Sequence, residues 1–204
     1  MCKIGILAYG SLIEDPGIEL EPLISEKINN VRTPFNIEFA RSSQSRDGAP
    51  TVVPVESYGA SVQAVILVLH GSVEIENAKD ILWRRETRNE KTNKHYKKPT
   101  NPSSNQVVVG EISELGGIDL VLYTKIGANI DNPTPEKLAN LAIKSARGKA
   151  GLEGKDGISY LIDLKKQNIK TPLMSRYEAE VLKLVGASSL SEALNIVQTN
   201  KLNP

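Results

Sequence analysis

Near residue 130 the hydrophobic pattern of this chain changes period, which restricts it to folds that join a strand-rich core to a run of helices. Before that point apolar residues form short runs or alternate with polar ones. Strands are predicted at residues 3–9, 36–41, 51–56, 62–70, 106–112 and 118–126. In the second of these, Phe35, Ile37 and Phe39 alternate against Asn36, Glu38 and Ala40. Asp47-Gly48, within the polar cluster from Ser42 to Gly48, predicts a tight turn, and Gly116-Gly117 predicts a hairpin between the last two strands. One helix interrupts the series: from Glu74 to about Glu86, Ile75, Ala78, Ile81 and Leu82 recur at helical spacing.

Beyond residue 130 the signals are helical, with marked starts and stops. Thr134 precedes Pro135 at a first helical position, and Leu138, Leu141 and Ala142 form a stripe that ends before Gly148. Asp156 is placed to cap a helix carrying Ile158, Leu161, Ile162 and Ile169. Ser175 with Glu178 and Ser189 with Glu192 match the spacing of a capping box. The expectation is an α+β chain with a core over residues 1–128 and a helical C-terminal extension over 129–204. Residues 87–105 lack periodicity and are predicted to form an unusually long loop.

Several function classes are disfavoured by composition. With 25 Lys and Arg against 24 Asp and Glu, net charge supplies no general attraction to nucleic acid or membrane. The longest apolar run, Ala64 to Leu69, is far too short to span a bilayer, and the N-terminus has no long apolar signal segment. Cys2 is the lone cysteine, so no intramolecular disulfide can form, which fits a reducing compartment; the chain is expected to be cytoplasmic. Two histidines, His70 and His95, are too few for a histidine-rich metal site, and no phosphate-binding glycine motif is present. A histidine-rich metal site is therefore not expected.

Candidate chemistry lies at two places. The strand Ile4 to Ala8 runs directly into Tyr9-Gly10-Ser11-Leu12, and a glycine there lets backbone N–H groups approach a carboxylate or oxyanion closely. An ordinary exit from a strand has the same appearance. Glu86 stands four residues after Leu82 and eleven after Ile75, which continues the apolar stripe to within roughly 20°. A carboxylate on that face, in a last helical turn, is a stronger base than an exposed one. The competing possibility is a surface ion pair with Arg84, Arg85 or Arg88. Ser11 lacks the glycines at positions 9 and 13 that a nucleophile elbow requires. The basic stretch Arg84, Arg85, Arg88, Lys91, Lys94, Lys97 and Lys98 reads as a solvated loop, as a lid for an anionic ligand, or as a nucleic-acid patch. Its two aromatics, Trp83 and Tyr96, are few for base stacking.

Taken together, Tyr9-Gly10-Ser11-Leu12-Ile13 with Asp15-Pro16-Gly17 and the later Leu82-Trp83-Arg84-Arg85-Glu86 resemble the γ-glutamylcyclotransferase-like superfamily, nearest its ChaC-like branch. Arg41, closing a strand before Gly48-Ala49-Pro50 and Thr51-Val52-Val53, adds to the similarity. The likeness covers about residues 3–125. It implies a small mixed β-barrel whose mouth holds a small, anionic γ-glutamyl substrate, bound at Tyr9, Gly10, Ser11, Leu12 and Arg41. It further implies Glu86 as the general acid/base that cyclises the γ-glutamyl group to 5-oxoproline and releases an amine, with neither metal nor cofactor required. The chain departs from the branch at Glu14, where an aromatic residue is usual, and at Thr87-Arg88, where a glycine pair is usual. A noncatalytic small-molecule-binding protein using the same cavity is the alternative expectation.

Overall fold

The computed structural model describes residues 2–199, so residue 1 and residues 200–204, the ends of the two expected segments, lie outside the described residues. The class is α+β, as expected. Contacts divide the chain into two compact units, Met1–Pro34 with Gln63–Gly127, and Phe35–Val62 with Ala128–Pro204. Each is built from two separate stretches of sequence.

The first unit is a five-stranded mixed sheet with one helix. Its strands are β1 (Ile4–Ala8), β2 (Ile24–Arg32), β5 (Gln63–Leu69), β6 (Val108–Leu115) and β7 (Ile118–Lys125), in the order β2-β5-β1-β7-β6. β1 lies between β5, antiparallel with Leu7 opposite Ile66, and β7, parallel with Gly5 opposite Val121, and is buried along its whole length. A strand buried on both faces needs no polar alternation, which is why Ile4-Gly5-Ile6-Leu7-Ala8 is continuously apolar. β6 and β7 form the expected hairpin, with Leu115 opposite Ile118 across Gly116-Gly117.

β2 was not expected. Its apolar residues Ile24, Ile28 and Val31 are spaced by four and three, a helical interval. The strand accommodates that spacing through register shifts against β5 between Ile24 and Glu26 and between Ile28 and Val31. Asn30 adopts a left-handed φ of 61° inside the second shift. Such bulges suit an edge strand, where one side carries no ladder.

Helix α1 (Ile75–Glu86) covers one face of this sheet. Ala78, Ile81 and Leu82 join Ile4, Ile6, Ala8, Leu67, Leu69 and Leu122 in the core, and Trp83 and Tyr96 pack at its margin. Ile75, expected at the head of the stripe, is exposed. The buried charged residue of α1 is Arg84.

The second unit pairs a hairpin, β3 (Asn36–Ser43) and β4 (Ala49–Val55), with the helices α2 (Pro135–Arg147), α3 (Lys149–Leu152), α4 (Gly157–Lys166), α5 (Met174–Val185) and α6 (Leu190–Thr199). Phe39 sits edge-on to Tyr177 and Tyr160, with ring centroids 5.1 and 6.4 Å away. Tyr177 is fully enclosed, and burial followed by the nearby Asp156 and Tyr160 pushes its hydroxyl well above the ordinary tyrosine range. Glu38, placed by its alternation with Ile37 and Phe39 on a polar face, is instead buried; its carboxylate accepts the amides of Phe39 (2.8 Å) and Leu173 (3.0 Å). Ala40 is the extra residue of a register shift between Phe39 and Arg41, and its carbonyl accepts the amides of Asn129 and Ile130, both at 3.0 Å. The Asp47-Gly48 turn docks on this unit's helices: Asp47 Oδ2 accepts the Ala150 amide (2.6 Å), and the Arg46 guanidinium lies 5.0 Å above the Tyr160 ring.

The caps follow the sequence in part. Asp156 accepts the amides of Ile158 and Ser159, and Thr134 accepts the amide of Lys137 at 3.3 Å. Thr134→Ala is expected to cost about 1 kcal/mol in urea unfolding, the usual worth of an N-cap hydroxyl. Ser189 accepts the Glu192 amide at 3.2 Å, while Glu192 reaches back to Ser188. Ser175 caps nothing: α5 begins one residue earlier, and Glu178 pairs with Lys165.

Candidate functional site

The end of β1 positions the turn. Tyr9 follows the last strand residue, and its hydroxyl donates to the Thr124 carbonyl of β7 at 2.5 Å, so the ring braces the exit of the chain. Gly10 is buried at φ 106° and ψ −142°, a conformation that side chains with a Cβ rarely adopt. Ser11–Ile13 then form one 3-10 turn, closed by a hydrogen bond from the Ile13 amide to the Gly10 carbonyl at 3.1 Å. The first amides of such a turn, those of Ser11 and Leu12, have no acceptor within it. Leu12 is buried in the core, which fixes the turn from beneath.

Gly10→Ala forces a Cβ into this conformation and is expected to lower stability by about 1–3 kcal/mol, read as a drop in thermal midpoint. Unchanged stability would show that the backbone there relaxes freely.

Glu86 is the last residue of α1, as its spacing implied. Its carboxylate is a quarter exposed and accepts a hydrogen bond at 2.5 Å from Arg85 Nη1, whose own side chain is 12% exposed. The pairing with Arg85 named in the competing reading is present, but on a helix that continues to Glu86. The other arm of that guanidinium, Nη2, donates to the Asp15 carbonyl and lies 3.8 Å from the Asp15 carboxylate. The Asp15 amide in turn donates to the Ser11 carbonyl at 2.9 Å. Arg85 therefore connects the glycine turn after β1 to the carboxylate at the end of α1. The contact joins Asp15 and Arg85, 70 positions apart in sequence.

Arg41 belongs to the second unit, in β3, where burial holds its guanidinium below the ordinary arginine range.

Two carboxylates of this neighbourhood, Glu19 and Asp80, were not singled out from sequence. Arg84 donates through Nε and Nη2 to Glu19 Oε2 at 2.9 and 2.5 Å, and through Nη1 to the Lys94 carbonyl at 3.0 Å. The arginine contact holds the Glu19 carboxyl below the usual carboxylate range against the opposing effect of burial, with help from the Lys91 amide. Asp80 of α1 accepts from His95 Nδ1 at 2.5 Å and from the Tyr96 amide at 2.6 Å. Burial opposes its ionised form, but His95, the Tyr96 amide and Arg84 outweigh that and hold it low. The signal that could have found the Arg84 contact is an arginine three residues after Ile81, on the buried side of α1, where a charge requires an acid partner.

These contacts fasten the basic loop to α1 over residues 94–96 and to Glu19 at Lys91. Trp83 and Tyr96 pack on each other with centroids 6.4 Å apart, and the Tyr96 hydroxyl accepts the Val109 amide at 3.1 Å. Both aromatics are half-buried and pack against the margin of the core. Arg84 and Arg85 are likewise engaged internally, leaving Arg88, Lys91, Lys94, Lys97 and Lys98 on the exposed side. Among the described residues no group of His, Cys, Asp and Glu is arranged to hold a metal ion, and no helix is long and apolar enough to cross a membrane.

No family model matches the sequence, and no curated protein matches it. A solved structure does: a yeast γ-glutamylcyclotransferase specific to glutathione superposes with a TM-score of 0.59, at 15% identity, over 89% of this chain and 99% of its own. The two share a fold.

Proposed function

We propose that this chain is a γ-glutamylcyclotransferase-like enzyme, nearest the ChaC-like branch and in that family's small-barrel form, which cyclises a γ-glutamyl amine or peptide to 5-oxoproline. The observation that carries the reading is the Arg85 bridge, which joins Glu86 to Asp15, three residues beyond the Tyr9-Gly10-Ser11-Leu12 turn. The shared fold with a protein of that activity supports it.

In this reading the amides at the start of the 3-10 turn hold the γ-glutamyl group, and Gly10 leaves them unobstructed. The substrate's α-ammonium faces Glu86. At neutral pH an α-amine is mostly protonated and cannot attack, so a carboxylate must first take a proton from it. The freed nitrogen then bonds to the γ-carbonyl carbon, and the bond from that carbon to the departing nitrogen breaks. Both protons lost by the ammonium leave with the departing amine, relayed by Glu86. Because nucleophile and electrophile belong to one molecule, holding it folded can supply about 7 kcal/mol or more of the barrier reduction. No step calls for a cofactor.

A second reading has one observation in its favour. Arg85 occupies Glu86, as in a protein that uses the turn only to bind a small anionic metabolite. Incubation with a panel of γ-glutamyl amines and peptides separates the two. Release of 5-oxoproline supports the enzyme; saturable binding without release supports the binder.

A further inference from the structure

The geometry points to Arg85 as a gate on Glu86: its guanidinium holds the place of the substrate's ammonium and swings to Glu90 when that ammonium arrives. This rests on Glu86 being the group that receives the ammonium. Glu86 Oε1 already accepts a charged donor, Arg85 Nη1, at 2.5 Å. Arginine stays protonated at any working pH, so it cannot itself take the substrate's proton. An incoming cation competes with it for Glu86 Oε1 and for the charge of that carboxylate.

The place for the displaced group is provided by Glu90. Its Oε1 is buried and accepts no hydrogen bond. A carboxylate oxygen so placed is costly to leave unpaired. It lies alongside the arginine stem, because a Cβ on Gly17 would run into both Glu90 Oε1 and Arg85 Cγ, the latter at 2.8 Å. Gly17 keeps that corridor open. Rotation of the Arg85 head from Glu86 towards Glu90 exchanges one carboxylate for another, with the Asp15 carbonyl and carboxylate as the flanking acceptors. The charged groups facing Arg85 are thus Asp15, Glu86 and Glu90, while the adjacent Arg84 is held by Glu19. Two positions that each offer a carboxylate make a two-state element that a ligand biases by its charge.

The gate selects for a free amine. A γ-glutamyl compound whose α-nitrogen is acylated carries no cation to exchange, so Arg85 stays on Glu86 and the acylated compound gains nothing from opening.

The test uses γ-glutamylethylamide and its N-acetyl derivative, with binding read by calorimetry and turnover by 5-oxoproline release. Arg85→Met removes the competing cation, so the free-amine probe is expected to bind roughly twofold to fivefold tighter, with KM falling by that factor and kcat changing less. The N-acetyl derivative is expected to gain nothing, and Arg85→Lys to return binding towards wild type. Glu90→Gln removes the receiving charge and is expected to weaken the free-amine probe by a similar factor; it decides the matter if Arg85→Met fails to fold. Equal or weaker binding in folded Arg85→Met, or wild-type binding in Glu90→Gln, overturns the gate. Tighter binding in Arg85→Met without any 5-oxoproline overturns the enzyme reading and leaves the gate standing. Absence of probe binding in every protein overturns both.

Discussion

Glu86→Gln is expected to lower 5-oxoproline formation about a hundredfold or more, the loss typical of removing an acid/base group, while the thermal midpoint stays near wild type. Glutamine keeps the shape of the side chain and can still accept from Arg85 Nη1, but it cannot take a proton from an ammonium. The position tolerates the change because Glu86 ends α1 and is a quarter exposed, outside the core made by Ala78, Ile81 and Leu82. Substrate affinity is expected to change far less than turnover. Near-normal turnover in this variant removes Glu86 from the chemistry, and a collapsed midpoint makes it a structural residue.

Arg84→Met is expected to have the largest effect on stability, about 3–5 kcal/mol, because it strands a partner carboxylate. Arg84 and Glu19 are 10% and 18% exposed, and Glu19 Oε2 takes two of its hydrogen bonds from that one guanidinium. Urea unfolding measures the loss, and Glu19→Gln added to Arg84→Met is expected to recover part of it. The sign of the pH dependence follows from the lowered Glu19 pKa, set first by the Arg84 hydrogen bond. A carboxyl whose folded-state pKa is depressed adds stability that is complete above the unfolded value of about 4.3 and is lost as pH falls through the folded value. Wild type therefore loses this contribution on acidification below about pH 5, and Arg84→Met is expected to show a flatter acid limb. Equal acid sensitivity in the two proteins would show that the pair contributes nothing in solution.

The elements that could be read from sequence are those set by local rules. Continuous burial of β1, the stripe of α1, the two-glycine hairpin and the caps at Thr134 and Asp156 each depend on residues within one element or its flanks. What escaped was decided at long range. The apolar spacing of β2 is helical until its register shifts against β5 are known. Glu38 sits on a strand that looks one-sided until the Leu173 amide arrives from 135 positions away. Within the candidate site, the Tyr9–Leu12 turn and Glu86 were legible because each lies at the end of a regular element. Glu19 and Asp80 were not, since nothing near them in sequence shows that Glu19 meets Arg84 and that Asp80 meets His95 and the Tyr96 amide. Nor does spacing reveal that Arg84, rather than Glu86, is the charge α1 buries.

The central position of β1 has a consequence for how the protein is made. β1 lies between β5 and β7, and its parallel register sets Ile4 beside Leu120, at opposite ends of the first unit. A ribosome delivers β1 first and β7 more than a hundred residues later, at about 5–20 residues per second. Throughout that interval one side of an apolar strand has its N–H and C=O groups open to any other extended chain. Contacts so distant in sequence also slow refolding from denaturant. Chains that terminate between β5 and β7 are expected to aggregate, because the best-buried strand of the finished sheet is the bare edge of the unfinished one.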